Sequence, residues 1–263
     1  MAGNELKVCE FIFNNINFIN LKHLGKIYEI AAPVKESSEI KVIQSANDLS
    51  KISTESSSKK ADIYLNRSGV SIKQTGGSFS FNRIQRANII KLYQQLEFTN
   101  IQNKLSLLDR DVNKFHQGLL TSRNVPWSNF LSEQEFKNLL KFLMMKGSPN
   151  LGFSQYPAQY ILEAPKKDIG IENINLYSFN EYFSLYKHKL SIAIRRQWVG
   201  QSSSEHTRAL GLSKKEDNYP WVFDEVVGEP NIGKTTGKRW RDDFPANQRK
   251  TVYFLMIEKK NKS

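Results

Sequence analysis

Residues 60–83 run KADIYLNRSGVSIKQTGGSFSFNR, and the fold is decided by how they pair. Residues 61–65 (ADIYL) and 70–74 (VSIKQ) are two β-rich runs of strand length. Between them stands Asn66-Arg67-Ser68-Gly69, with Asn at the first turn position and Gly at the fourth, the signature of a type I turn. With Arg67-Ser68 as the loop proper, Asp62 falls directly opposite Lys73, their Cβ atoms roughly 5 Å apart. A three-residue loop with a Gly bulge is also common in hairpins and would shift the register. The sequence therefore predicts that Asp62 and Lys73 are neighbours and leaves the pairing open.

A carboxylate beside a lysine on a hairpin has two meanings. One is a cross-strand salt bridge, commonplace on sheet surfaces. The other is a metal-dependent nuclease site, where the carboxylate holds Mg²⁺ on the scissile phosphate and the lysine steadies the attacking water or the pentavalent charge. The spacing, Asp62 then ten residues then Lys73, resembles the core of the PD-(D/E)XK nucleases, which include most type II restriction endonucleases. Their pattern is an Asp at a strand start, then a second acid, any residue and Lys on the next strand, often with a Glu from an earlier helix. Asp62 and Lys73 match it, and Ser71 stands where the second acid should be. The resemblance spans residues 25–86. It implies an α/β fold with a central mixed β-sheet flanked by helices, Mg²⁺ as cofactor, double-stranded DNA as substrate and a homodimer that cuts both strands. It makes Asp62 a metal ligand and Lys73 the positioner of water. Gln74 could hydrogen-bond a phosphate or water, and Glu29, in Gly25-Lys-Ile-Tyr-Glu29, is the expected replacement acid and second metal ligand. Glu36, Glu39 and Glu97 are the alternatives.

Composition agrees with a polyanionic partner. The 263 residues carry 38 Lys and Arg against 26 Asp and Glu, a formal charge of +12. No apolar run of spanning length, amphipathic basic helix or signal peptide is visible, so a cytoplasmic protein without membrane attachment is expected. The single Cys9 excludes an internal disulfide and a cysteine-based zinc site. Four histidines without metal-ligand spacing argue against a zinc nuclease.

In chain order, Leu6, Cys9, Phe13, Ile16 and Ile19 form a stripe that predicts a helix over residues 4–31. Residues 33–60 are polar and loop-like. Residues 82–96 predict a helix with Arg83 and Arg86 in its first turn, where a phosphate would suit the helix dipole. Residues 101–125 show no clear pattern. Ser132-Glu-Gln-Glu135 and Ser178-Phe-Asn-Glu181 are capping boxes. The second helix is predicted to run to Gly200 and to carry Arg195 and Arg196. Residues 219–227 and 252–257 are strand-like.

The last stretch, 233–263, holds nine Lys or Arg against three acids, a net of +6. Its Gly233-Lys-Thr-Thr-Gly-Lys-Arg-Trp-Arg241 segment suits a DNA-reading loop. Lys234, Lys238, Arg239, Arg241, Arg249 and Lys250 join Arg83, Arg86, Arg195 and Arg196 as expected DNA contacts. Gly228-Glu-Pro-Asn-Ile-Gly-Lys-Thr235 also matches a phosphate-binding loop. No helix-like pattern follows it, and only 28 residues remain, too few for the later strands of a nucleotide-binding sheet. The expectation is one nuclease domain, 1–263, with a catalytic core roughly over 1–100 and recognition elements mainly in 101–263. A non-catalytic nucleic-acid-binding protein is the alternative, and a P-loop nucleotide-binding protein a further one.

Overall fold

The computed structural model describes residues 5–33, 39–50, 59–75, 79–227 and 239–259. The fold is mixed α/β, as expected, and the chain divides into two compact, interleaved units. The first comprises Met1–Phe79, Lys137–Lys189 and Lys259–Ser263; the second comprises Ser80–Phe136 and Leu190–Glu258.

The first unit is built on a six-stranded mixed sheet. Its order is Asn175–Ser178, Tyr160–Ala164, Ser68–Gln74, Ile63–Leu65, Ile30–Pro33, Ile40–Val42. Tyr160–Ala164 runs parallel to Ser68–Gln74, placing Glu163 beside Lys73, and the remaining neighbours are antiparallel. Two strands of this sheet thus come from residues beyond 100, outside the span expected for the core. Strand alternation sorts the side chains. Val70, Ile72, Leu162 and Ala164 join one apolar core with Val8, Cys9 and Ile12 of the helix Glu5–Asn14. Glu163 alternates away from that core and accepts a hydrogen bond from Tyr186, at the end of the helix Phe179–Tyr186. Both faces are therefore covered by helices.

The second unit has a five-stranded sheet in the order Val222–Phe223, Lys250–Lys259, Leu190–Val199, Asn124–Val125, with Phe79–Ile84 also pairing with Lys250–Lys259. Its helices are Arg86–Gln95, Ile101–His116 and Ser204–Ser213. Trp221 is fully buried and donates its indole N–H to Asp109 at 2.7 Å.

Several elements differ from the sequence expectation. The first helix stops at Asn14 instead of reaching residue 31; the chain then makes a short Asn20–Leu21/Gly25–Lys26 hairpin. His23 and Gly25 take φ of 72° and 67°, which no helix accommodates. Arg83 lies in a strand, and the following helix starts only at Arg86. The helix capped by Ser178 ends at Tyr186, because LSIAIRRQWV has the period-two pattern and β-branched content of a strand, Leu190–Val199. Val222–Phe223 is the only part of 219–227 that pairs as a strand. Residues 101–116 form a 16-residue helix whose buried Leu105, Leu108 and Val112 recur at three- and four-residue steps. Both capping boxes and the strand at 252–257, observed as Lys250–Lys259, agree with the sequence.

Candidate metal-dependent nuclease site

The hairpin turn has the expected two-residue length and is displaced by one residue. Leu65 pairs with Ser68, so Asn66 and Arg67 are the central residues, with φ of 47° and 67°. This is the conformation of a two-residue type I′ loop, whose twist matches the strands, and Asn is among the residues that tolerate it best. The Asn66 carboxamide locks the turn: its oxygen accepts from the N–H of Tyr28 and Glu29, and its nitrogen donates to Lys26 O at 2.9 Å. Gly69 is needed for another reason. A Cβ there would lie 2.4 Å from the Pro157 carbonyl oxygen.

The shifted turn changes the register. Asp62 donates its N–H to Val70 O and stands opposite Ser71, not Lys73. Beyond Ile63 the two strands part. The Ile72 N–H, which would have gone to the partner strand, is instead received by Asp62 Oδ2 at 2.6 Å. Lys73 Nζ donates to Ser71 Oγ at 2.7 Å and to Ile72 O at 3.0 Å, and Ser71 Oγ donates to Asp62 Oδ2 at 3.4 Å. Ser71 is thus a relay between lysine and carboxylate, occupying the position where an acid was expected. Gln74, half-buried, is the last residue of its strand and alternates to the face opposite Lys73.

Further charges act on this cluster. Burial raises the Asp62 carboxyl above the usual range, opposed by Lys73, by the Ile72 and Ser71 hydrogen bonds and by Lys60. Glu5, in the first turn of the first helix, is raised by burial and by the Asp62 charge, and lowered by Lys73. Lys60 is lowered to about 8 by burial and by Lys73, against the pull of Asp62. The Asp62 charge raises the proton affinity of Glu5, and these two carboxyls with the Ile72 carbonyl and the Ser71 hydroxyl supply hard oxygen donors. That set fits Mg²⁺, which takes few protein ligands and keeps its waters. Among the described residues no group of three or more His, Cys, Asp or Glu converges.

Glu29 is not part of this cluster. It lies at the turn end of the hairpin, where its backbone O receives the Asn66 N–H and its carboxylate faces Arg67 Nε at 3.8 Å. It was read as part of a helix, whereas it follows the short Gly25–Lys26 strand. Glu39 is exposed beside Lys41, Glu97 belongs to the second unit and Glu36 lies outside the described residues. Glu5, whose proton affinity the Asp62 and Lys73 charges displace, is an acid that sequence reading did not place near the hairpin. The available signal was its place one turn before Cys9 on the same helical stripe.

Most of the arginines expected to hold DNA are engaged within the second unit. Arg83 makes a two-point contact with Glu205 at 3.0 and 3.1 Å and lies over the Phe254 ring. Arg86 grips Asp109 at 2.8 Å through two nitrogens. Arg195 is paired with Glu258, and Arg241 with Asp243. Lys250 meets Asp224 at 2.9 Å, and Arg249 stacks on Trp240 at 4.6 Å. Arg196 and Arg239 are exposed, Arg196 lying over the Trp198 ring at 5.4 Å. Lys234, Lys238 and the Gly228–Thr235 pattern lie outside the described residues. Among the described residues no helix is long and apolar enough to cross a membrane.

No family model matches the sequence, and no curated protein or solved structure matches it.

Proposed function

We propose that the chain is a Mg²⁺-dependent endonuclease that hydrolyses phosphodiester bonds of double-stranded DNA at a specific sequence, a type II restriction enzyme acting as a cytoplasmic homodimer. The observation that carries this reading is the placement of Asp62 at the point where two strands part, with Lys73 tied to it through Ser71. Asp62, Glu5 and the Ile72 carbonyl would hold the metal. A bound divalent cation supplies Lewis-acid stabilisation of the scissile phosphate. Lys73 orients the attacking water and places positive charge beside the pentavalent phosphorus. Ser71 fixes the Lys73 ammonium in that position. Arg196 and Arg239, both exposed, hold the DNA backbone.

One observation favours a second reading, a non-catalytic nucleic-acid-binding protein. The Asp62 carboxylate caps the Ile72 N–H at 2.6 Å, a structural task that needs no metal. Incubation with plasmid DNA and Mg²⁺, with EDTA as control, separates the two. Discrete fragments that disappear in EDTA support the nuclease. A retarded but intact plasmid at every metal concentration supports the binder.

A further inference from the structure

The second unit contains an open cavity of about 400 Å³ beside the indole of Trp240. We propose that this cavity receives a single nucleobase swung out of a DNA duplex. The inference rests on the DNA-binding part of the function proposed above, and not on cleavage.

The cavity has a braced frame. Trp240 pairs with Gln201 in a short bridge, Ser202 N–H donates to Arg239 O at 2.6 Å, and Arg241 N–H donates to Gly200 O at 2.9 Å. Gly200 turns the chain with φ of 99°, where a Cβ would crowd Arg249 at 3.0 Å and Phe244 at 3.1 Å. The Arg249 guanidinium lies over the Trp240 ring at 4.6 Å, which supports the ring as a platform.

The chemistry of the walls suits a base more than a groove edge. The volume falls within the range of pockets for small molecules, roughly 300–1,000 Å³, and is far too small for a duplex. A flat indole stacks on any base. The Ser202 and Ser203 hydroxyls and the Asp242 carboxylate supply hydrogen-bonding groups for a base edge. Ser203 Oγ already accepts from the Glu205 N–H at 3.2 Å, so its own hydrogen remains to donate. Exposed Arg239 at the wall is placed for the phosphate that follows the base. Arg241 is held by Asp243 through two nitrogens, so a contact of Arg241 with DNA would require that pair to open. Enzymes that take a base out of the stack read it in such a pocket, by stacking and edge hydrogen bonds.

The test uses the full chain in EDTA, so that binding is read without cleavage. The probes are a duplex with one bulged 2-aminopurine, the same duplex with an abasic residue in the bulge, the fully paired duplex, and free deoxyadenosine monophosphate. The bulged-base duplex should bind about tenfold more tightly than the abasic one, the size expected of one base stacked on an aromatic ring. Trp240→Ala should erase that ratio, while Trp240→Phe keeps most of it and guards against a folding defect, with circular dichroism matching the wild type. Equal binding of bulged and abasic duplexes by the wild type would overturn the proposal. So would a ratio unchanged in Trp240→Ala, or a free mononucleotide that binds as tightly as the bulged duplex. Plasmid cleavage in Mg²⁺ is scored separately, so loss of the nuclease reading and loss of this one are distinguishable.

Discussion

In the first unit, the charges of Asp62, Glu5, Lys60 and Lys73 act on one another with only partial compensation, and the proton affinities of Asp62, Glu5 and Lys60 are displaced. In the second, Arg83, Arg86, Arg195 and Arg241 each face an acid of the same unit, and these pairs knit helices, strands and loops together. Both sets of charges look alike in the sequence. Partnering separates them. A charge with a dedicated counter-ion contributes to folding, whereas unlike and like charges crowded around a hydroxyl relay are poised for a ligand. Formal charge alone therefore overstates how many basic residues this chain leaves available to a polyanion.

The largest expected effect sharpens the first half of that contrast. Asp62→Asn should abolish Mg²⁺-dependent plasmid cleavage, and Lys73→Ala should lower its rate by at least about 10²-fold. DNA binding by gel shift should survive in both. Undiminished cutting by either variant would remove this hairpin from the chemistry. The second half is tested by Arg86→Ala. It strands Asp109, which also holds the Trp221 indole, so unfolding free energy in urea should fall by about 3 kcal/mol. DNA affinity per folded molecule should stay the same; a selective loss of DNA binding with normal stability would make Arg86 a DNA contact.

Glu5→Gln probes where the two behaviours meet. The Glu5 carboxyl is raised in the folded protein, so its ionisation works against folding once the pH exceeds its unfolded value. Removing the charge at neutral pH should leave the melting temperature unchanged or higher. Cleavage should fall, and the stabilisation given by added Mg²⁺ in a thermal melt should shrink relative to wild type. A wild-type response to Mg²⁺ in this variant would remove Glu5 from the metal shell. Asn66→Ala should cost about 1 kcal/mol of stability, since Ala tolerates positive φ less well and loses the contacts to Tyr28, Glu29 and Lys26. Smallest of all, Glu29→Gln should change the cleavage rate by less than about twofold, since its carboxylate faces the exposed Arg67 at 3.8 Å, at the turn end of the hairpin, and such a pair contributes little.

Local signals carried much of the fold. The capping boxes at Ser132 and Ser178 act through contacts three residues apart, and they form as written in the chain. The hairpin with Asp62 and Lys73 close together was also evident, because β-rich runs joined by a short turn leave few alternatives. Its register was not. The turn centre depended on Asn66 being recruited by the backbone of Tyr28 and Glu29, nearly forty residues away, and on Pro157 pressing against Gly69. The strand at 190–199 was mistaken for a helix because its apolar residues fit both periods when the neighbouring strands are unknown.

The sequence by itself determined the α/β class, the two capping boxes and the pairing of one carboxylate strand with one lysine strand, all through interactions between residues near in the chain. Only the tertiary structure decided that Ser71 relays between Lys73 and Asp62, that Glu5 and not Glu29 lies within reach of their charges, and that most of the arginines serve the fold. The physical reason is that a charge takes its role from whatever stands within a few ångströms of it, and those neighbours are brought there by folding from distant parts of the chain.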